Sequence, residues 1–161
     1  MDKSRVYLET SVIGYATSKP SRDLVVAAHQ QITRDWFAQS ASDYELFVSQ
    51  IVVHEILSGN PAAAEERREF LSSIPLLAVT EEVGILASTL IETHSLPKKA
   101  SEDAMHIAVA AVHAVDFLLT WNCRHIANAH MRDAIEEVCR EAGYKPPVIC
   151  TPEELSHDEF D

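Results

Sequence analysis

A chain of 161 residues, 47% hydrophobic and 24% charged, is long enough to bury a core as one domain without disulfide or metal staples. Its formal net charge of −12 argues against a protein that grips nucleic acid by overall charge, because Lys and Arg contacts to phosphate supply most non-specific affinity. No apolar run approaches the roughly 20 residues that span a bilayer, and "MDKSRVYLE" enters a strand-like run without a signal-peptide core, so a cytoplasmic protein away from membranes is expected.

The first strand is predicted over Arg5–Glu9, within "RVYLETSVIGY". Leu24, Ala28, Ile32 and Trp36 then recur every fourth residue behind Ser21, a candidate cap, and predict a helix. A second strand over Tyr44–Ser49 leads into a short helix that holds Glu55 among Ile51, Val52, Val53, Ile56 and Leu57, and that helix is expected to be mostly buried. A third strand over Leu76–Thr80 precedes the stripe Val83, Leu86, Ala87, Leu90 and Ile91. The segment "SEDAMHIAVAAVHAV" reads as a nearly all-apolar helix feeding a fourth strand, Phe117–Trp121. Met131, Ile135, Val138, Cys139 and Ala142 mark a last helix that Gly143 stops, before a short strand at Val148–Cys150. Strands alternating with helices imply βαβ units, hence one three-layer α/β/α domain with a central, mainly parallel sheet of about five strands. The domain is expected over 1–151, followed by an acidic C-terminal tail over 152–161. Three cysteines at no framework spacing read as reduced thiols, with Cys139 and Cys150 in the core.

In such sheets ligands bind beyond the carboxyl ends of the strands, and polar residues gather there. Glu9 ends the first strand, with Ser11 beside it; each has an ordinary alternative as a cap for the next turn. Glu55 follows the second strand and Asp103 opens the apolar helix, where an acid favours the macrodipole in any case. Asn122 ends the fourth strand and could simply bond the loop after it. His106 and His113 read as satisfied core or edge histidines. Cys123, His125 and His130 lack a zinc-site spacing, and four glycines without G-x-G-x-x-G exclude a dinucleotide site. No strand ends in the nucleophilic Asp that a receiver-type phosphoryl-transfer domain needs. Taken together, three carboxylates and an amide at one end of a sheet repel unless a cation is present, and oxygen-only ligands suit Mg²⁺ or Mn²⁺.

The blocks "VYLETSVIGY", "FVSQIVVHEI" and "SEDAMHIAVAAVHAVDFLLTWNCRHIAN", in this order and spacing, resemble the PIN-domain ribonucleases, specifically VapC-like toxins of type II toxin–antitoxin pairs. The resemblance implies a Rossmann-like PIN fold and a Mg²⁺- or Mn²⁺-dependent endoribonuclease leaving 5′-phosphate and 3′-hydroxyl ends. Glu9, Glu55, Asp103 and Asn122 match its catalytic and metal-holding positions, and Ser11 its supporting hydroxyl. Many members carry Asp where this chain has Glu9 and Asn122; the first change bears on where a metal sits, the second on whether a second ion is held. An antitoxin partner and a homodimer are implied as well. Lys98, Lys99 and Arg124, close in sequence to Asp103 and Asn122, are the candidates for RNA phosphate contacts, and Trp121 for stacking on a base unless it is core packing. A PIN-like module that binds RNA or protein but cleaves poorly is the alternative.

Overall fold

The computed structural model describes residues 2–93 and 95–156. Val6, Tyr7 and Leu8 are fully buried, as a strand covered on both faces must be, and they form the middle of β1 (Ser4–Leu8). The chain continues through α1 (Thr10–Thr17), α2 (Leu24–Gln39), β2 (Tyr44–Ser49), α3 (Gln50–Leu57), α4 (Pro61–Leu71), β3 (Leu76–Leu77) and α5 (Glu81–Glu92). It then crosses to α6 (Ser101–Val112), β4 (Phe117–Leu119), α7 (Ala129–Glu141) and β5 (Val148–Cys150). The five strands pair in the order β3-β2-β1-β4-β5, and every pairing is parallel. From β1 the chain winds outward through β2 to β3, then returns to the other side of β1 for β4 and β5. The winding therefore reverses between β1 and β4, and the crevice of such a sheet opens at that reversal.

The third and fourth strands are shorter than expected. Leu76–Thr80 contributes only Leu76–Leu77, an edge strand whose Leu76 is exposed, and Phe117–Trp121 pairs only over Phe117–Leu119. The expected stripe of α2 is rotated. Leu24 is 86% exposed and Ala28 is exposed as well; the buried face is Gln30, Thr33 and Trp36. Two polar side chains can lie there because both are satisfied. Gln30 Oε1 accepts the Ser21 N–H at 2.8 Å, and Thr33 donates to the His29 carbonyl while accepting from Trp121 Nε1 at 2.7 Å. The cap of α2 is Asp23, whose Oδ1 accepts the N–H groups of Val25 and Val26; Ser21 instead accepts from the Asp23 N–H.

Helix α6 runs through the core as its apolar sequence requires, with Ala104 and His106 through Ala111 buried. Helix α3 is less enclosed than its apolar flanks suggest. Only Val52 and Ile56 are buried, and Ile51, Val53 and Leu57 line an apolar cavity of about 710 Å³ with Val79 and Met105. Helix α7 ends as Gly143 predicts. Gly143 takes φ +90°, its N–H bonds the Arg140 carbonyl, and the Tyr144 N–H bonds that of Cys139, the pattern of a Schellman cap. All three cysteines are free. Burial pushes the Cys139 thiol up to about 11 and that of Cys150 up to about 12, which leaves both unreactive.

Residues 152–155 form a turn beyond β5, and Leu155 packs back on the core. The remainder of the expected acidic tail, 157–161, lies outside the described residues. Among the described residues no helix is long and apolar enough to cross a membrane.

Candidate active site

Glu9 leaves β1 at the reversal point and is 5% exposed. It is the N-cap of α1, with Oε2 accepting the Ser11 N–H at 3.2 Å. Its Oε1 accepts two hydroxyls, Ser11 Oγ at 2.5 Å and Thr120 Oγ1 at 2.5 Å. Ser11 Oγ accepts in turn from the Trp121 N–H at 2.9 Å. These bonds join the exits of β1 and β4, so Glu9 is a cap and a crevice carboxylate at once.

Asp103 is the third residue of α6, where Ala100 occupies the cap position without a side-chain bond. A carboxylate there favours the helix dipole. Its side chain is 21% exposed, with Oδ2 2.9 Å from His125 Nδ1 and Oδ1 accepting from Asn122 Nδ2 at 3.0 Å. The orientation of Asn122 follows from its surroundings. Its Oδ1 accepts the N–H groups of Arg124 (3.3 Å) and His125 (3.1 Å), which can only donate, so its NH₂ is left for Asp103. Asn122 therefore bonds the loop after its strand and reaches Asp103 as well. An Asp at this position would set two carboxylates against each other; the amide links to Asp103 without an intervening cation.

Glu55 stands on the second turn of α3. Its Oε1 accepts from Thr10 Oγ1 at 3.1 Å and lies 2.6 Å from Nε2 of His106. His106 is fully buried, with Nδ1 2.7 Å from the Tyr7 hydroxyl, which is 2.8 Å from Ser49 Oγ. Ser49 sits at the cap of α3 without capping it, its hydroxyl being given to Tyr7. Burial pushes the Tyr7 phenol far above its ordinary value, against the lowering by its Ser49 bond, so it stays protonated and able to donate. Burial also pushes the Glu55 carboxyl up, but the hydrogen bond from His106, with that from Thr10, holds it below its ordinary value.

A carboxyl lowered on folding adds stability above its unfolded pKa, near 4.3, and loses it as pH falls through the folded value. The stability difference between the wild type and Glu55→Gln, measured by urea unfolding in chelator from pH 7 to pH 3, is therefore expected to shift against the wild type below about pH 4. Parallel profiles would show that the His106 contact does not hold the carboxylate charge.

One connected set of hydrogen bonds thus runs from Glu9 through Thr120 and Asn122 to Asp103 and His125, since the Asn122 N–H bonds Thr120 Oγ1 at 2.9 Å. Glu55 joins at Thr10, next to Glu9. Among the described residues, no Lys or Arg lies within 4.0 Å of these three carboxylates, and no three His, Cys, Asp or Glu side chains come close enough together to hold a metal ion. The donor chemistry, carboxylate oxygens without a fixed cation, fits a hard divalent ion. The spacing shown is that of carboxylates bonded to His106, His125 and Thr120, and an ion would exchange with some of those bonds. His125 lies against Asp103, and Cys123 is free and exposed.

Lys98 and Lys99 are exposed on the turn before α6, and Arg124 is exposed just after Asn122. Trp121 is packing. It stacks on His29 with centroids 4.0 Å apart and gives its Nε1–H to Thr33. His113 is an edge histidine, 2.7 Å from the Ala78 carbonyl.

A family model described as the PIN domain matches residues 6–129, more than half of the chain. The chain belongs to the PIN domain family. Among solved structures, this PIN domain is similar to VapBC2 from Rickettsia felis bound to a DNA fragment from their promoter. The TM-score is 0.61 at 15% identity, covering 91% of this chain and 98% of that one. It is similar too to VapC20 of Mycobacterium tuberculosis, a toxin that cleaves the sarcin–ricin loop, with a TM-score of 0.57 at 17% identity over 80% of this chain and 94% of that one. At these identities the likeness carries the fold, that of a VapC-like PIN domain with a parallel five-stranded sheet. Comparison with curated proteins gave no match.

Proposed function

We propose that this PIN domain is a Mg²⁺- or Mn²⁺-dependent endoribonuclease that hydrolyses RNA to 5′-phosphate and 3′-hydroxyl ends, as the toxin of a toxin–antitoxin pair. The observation that carries this reading is the reversal of a PIN sheet, where Glu9 and Asp103 share one hydrogen-bonded network and Glu55 bonds Thr10 next to Glu9, none of the three with a Lys or Arg partner among the described residues. Glu9, Glu55 and Asp103 would hold the ion, and Asn122 would complete its surroundings or position water. A bound divalent ion supplies a Lewis acid for the phosphate and a means of activating water. The chain's own residues do the positioning. Ser11 and Thr120 orient Glu9, His106 orients Glu55, and Asn122 with His125 orients Asp103. Lys98, Lys99 and Arg124 would meet RNA phosphates at the rim.

The VapBC2 complex and the sarcin–ricin-loop toxin support, for this chain, an antitoxin partner and an RNA substrate; a homodimer and a cytoplasmic site of action belong to the same reading. The second reading, a weakly cleaving PIN module that binds RNA or protein, is favoured by Asn122, which satisfies Asp103 without a cation. Incubating partner-free protein with a mixed RNA pool separates them. The expected result is cutting in Mg²⁺ or Mn²⁺, none in EDTA, and 5′-phosphate ends. Ends carrying 2′,3′-cyclic phosphate, or binding without cutting under any metal, would overturn the nuclease reading.

A further inference from the structure

A chain of net charge −12 with 13 Lys and Arg residues has few cations to place, yet three of them converge away from the carboxylates. Lys19 follows α1, Arg34 lies on α2 and Arg67 on α4, and the three meet at Ser18. The Arg34 guanidinium donates to the Ser18 carbonyl, which explains Arg34 as a partner for the end of α1. Arg67 has no such explanation. Its hydrogen bond reaches Ser18 Oγ only at 3.5 Å, and its Nε is buried with no partner. Among the described residues none of the three cations has a carboxylate within 4.0 Å. A guanidinium carries five donors, and leaving a buried one unmatched is unfavourable. The half-buried Arg67 lines the adjoining cavity with only this long contact from its terminal nitrogen, and matches an anion that the chain does not itself supply.

The cavity beside it, about 430 Å³, is lined by Thr17, Ser18, Lys19, Asn60, Glu66 and Arg67 among others. It opens between the end of α1 and the first turn of α4. Helix α1 begins at Thr10, which bonds Glu55, and its eight residues carry the chain ~12 Å; α4 begins a few residues after the helix that bears Glu55. The cavity and the carboxylates therefore share helix α1, whose first residue bonds Glu55 and whose last lines the cavity.

We propose that this cavity binds a backbone phosphate of the RNA strand, held by the Arg67 guanidinium with Lys19 beside it. The planar fork of Arg matches phosphate oxygens. Arg34 acts as the support that holds the Ser18 turn in place. Glu66 lines the same cavity outside ion-pair distance of Arg67 and sets a repulsive charge against the phosphate. The inference rests on the ribonuclease reading for the identity of the anion, and its test is binding rather than cleavage.

Anisotropy of a 5′-fluorescein 12-nucleotide single-stranded RNA is measured on the full chain carrying Asp103→Asn, without divalent metal, across a KCl series. Arg67→Gln is expected to raise Kd about tenfold and to reduce the slope of log K against log salt by about 0.7. Glu66→Gln is expected to tighten binding severalfold, and it carries the test if Arg67→Gln does not fold. Arg68→Gln, in an exposed pair with Glu65, is the control and is expected to change neither. Unchanged Kd and slope in Arg67→Gln, or weaker binding in Glu66→Gln, would overturn the proposal. So would a polyglutamate peptide that needs Arg67 while RNA does not, which would assign the cavity to an acidic protein partner. RNA binding that depends on Arg67 in a protein that never cuts RNA would retain the phosphate site and remove the nuclease reading, so the two fail separately.

Discussion

Asp103→Asn is expected to lower metal-stimulated RNA cleavage at least about a hundredfold while leaving the fold intact. Loss of a residue that merely supports a metal ligand reduces metal affinity or activity about 10–100-fold, and removing a ligand's charge should do no less. The substitution is isosteric, and the bond from Asn122 Nδ2 to Oδ1 survives it. On the other side the new NH₂ faces His125 Nδ1, which can accept by changing tautomer. Cleavage rates and thermal unfolding are measured on proteins purified identically. Retention of more than a tenth of the activity would move the essential carboxylate elsewhere.

The second large effect is expected at His106. This ring is buried between two polar partners, Tyr7 on Nδ1 and Glu55 on Nε2, and Tyr7 leans on Ser49. With the phenol kept protonated by burial, a consistent chain runs from the Ser49 hydroxyl to Tyr7, from Tyr7 to Nδ1, and from Nε2–H to the carboxylate. His106→Leu keeps an apolar body in the core but strands the Tyr7 hydroxyl and frees Glu55. It is expected to reduce stability by about 1–3 kcal/mol, the cost of leaving a buried polar group unsatisfied, and to weaken Mn²⁺ binding about 10–100-fold. Tyr7→Phe leaves the ring and its packing in place and is expected to lose about 1 kcal/mol with a smaller effect on Mn²⁺. Urea unfolding and Mn²⁺ titration together check the pair. A stability loss with unchanged Mn²⁺ affinity would make His106 a packing residue without a positioning role.

Much of the fold is legible in the chain because it is written in local patterns. The buried run of β1, the apolar helix α6 and the Gly143 stop each follow from a few adjacent residues. That Glu9 and Asn122 leave their strands on one side follows from topology, since parallel strands place their carboxyl ends together, while Glu55 and Asp103 ride on helices. What escapes the sequence depends on rotation and distance. The face of α2 turns on two polar residues, Gln30 and Thr33, that are buried because partners far along the chain satisfy them. The role of His106 depends on a contact with Glu55, 51 residues away; its spacing of three from Asp103, on the same helix, is the only local hint. His125 reads only as one of three residues without a zinc-site spacing until its bond to Asp103 is seen. Trp121 ends a strand beside the crevice, which suggests a stacking platform, yet His29 already occupies its face. The Arg67 cluster joins three separated segments and leaves no periodic signal at all.

The most direct measurement is a Mn²⁺ titration of the purified, partner-free protein, followed by the electron paramagnetic resonance of the free ion, beside Asp103→Asn. Saturable binding in the wild type that is lost in the variant is the expected result, because the carboxylates at the reversal of the sheet would then hold an ion together. No binding in the wild type, or equal binding in both, would contradict it and leave these carboxylates as hydrogen-bond partners of His106, His125 and Thr120.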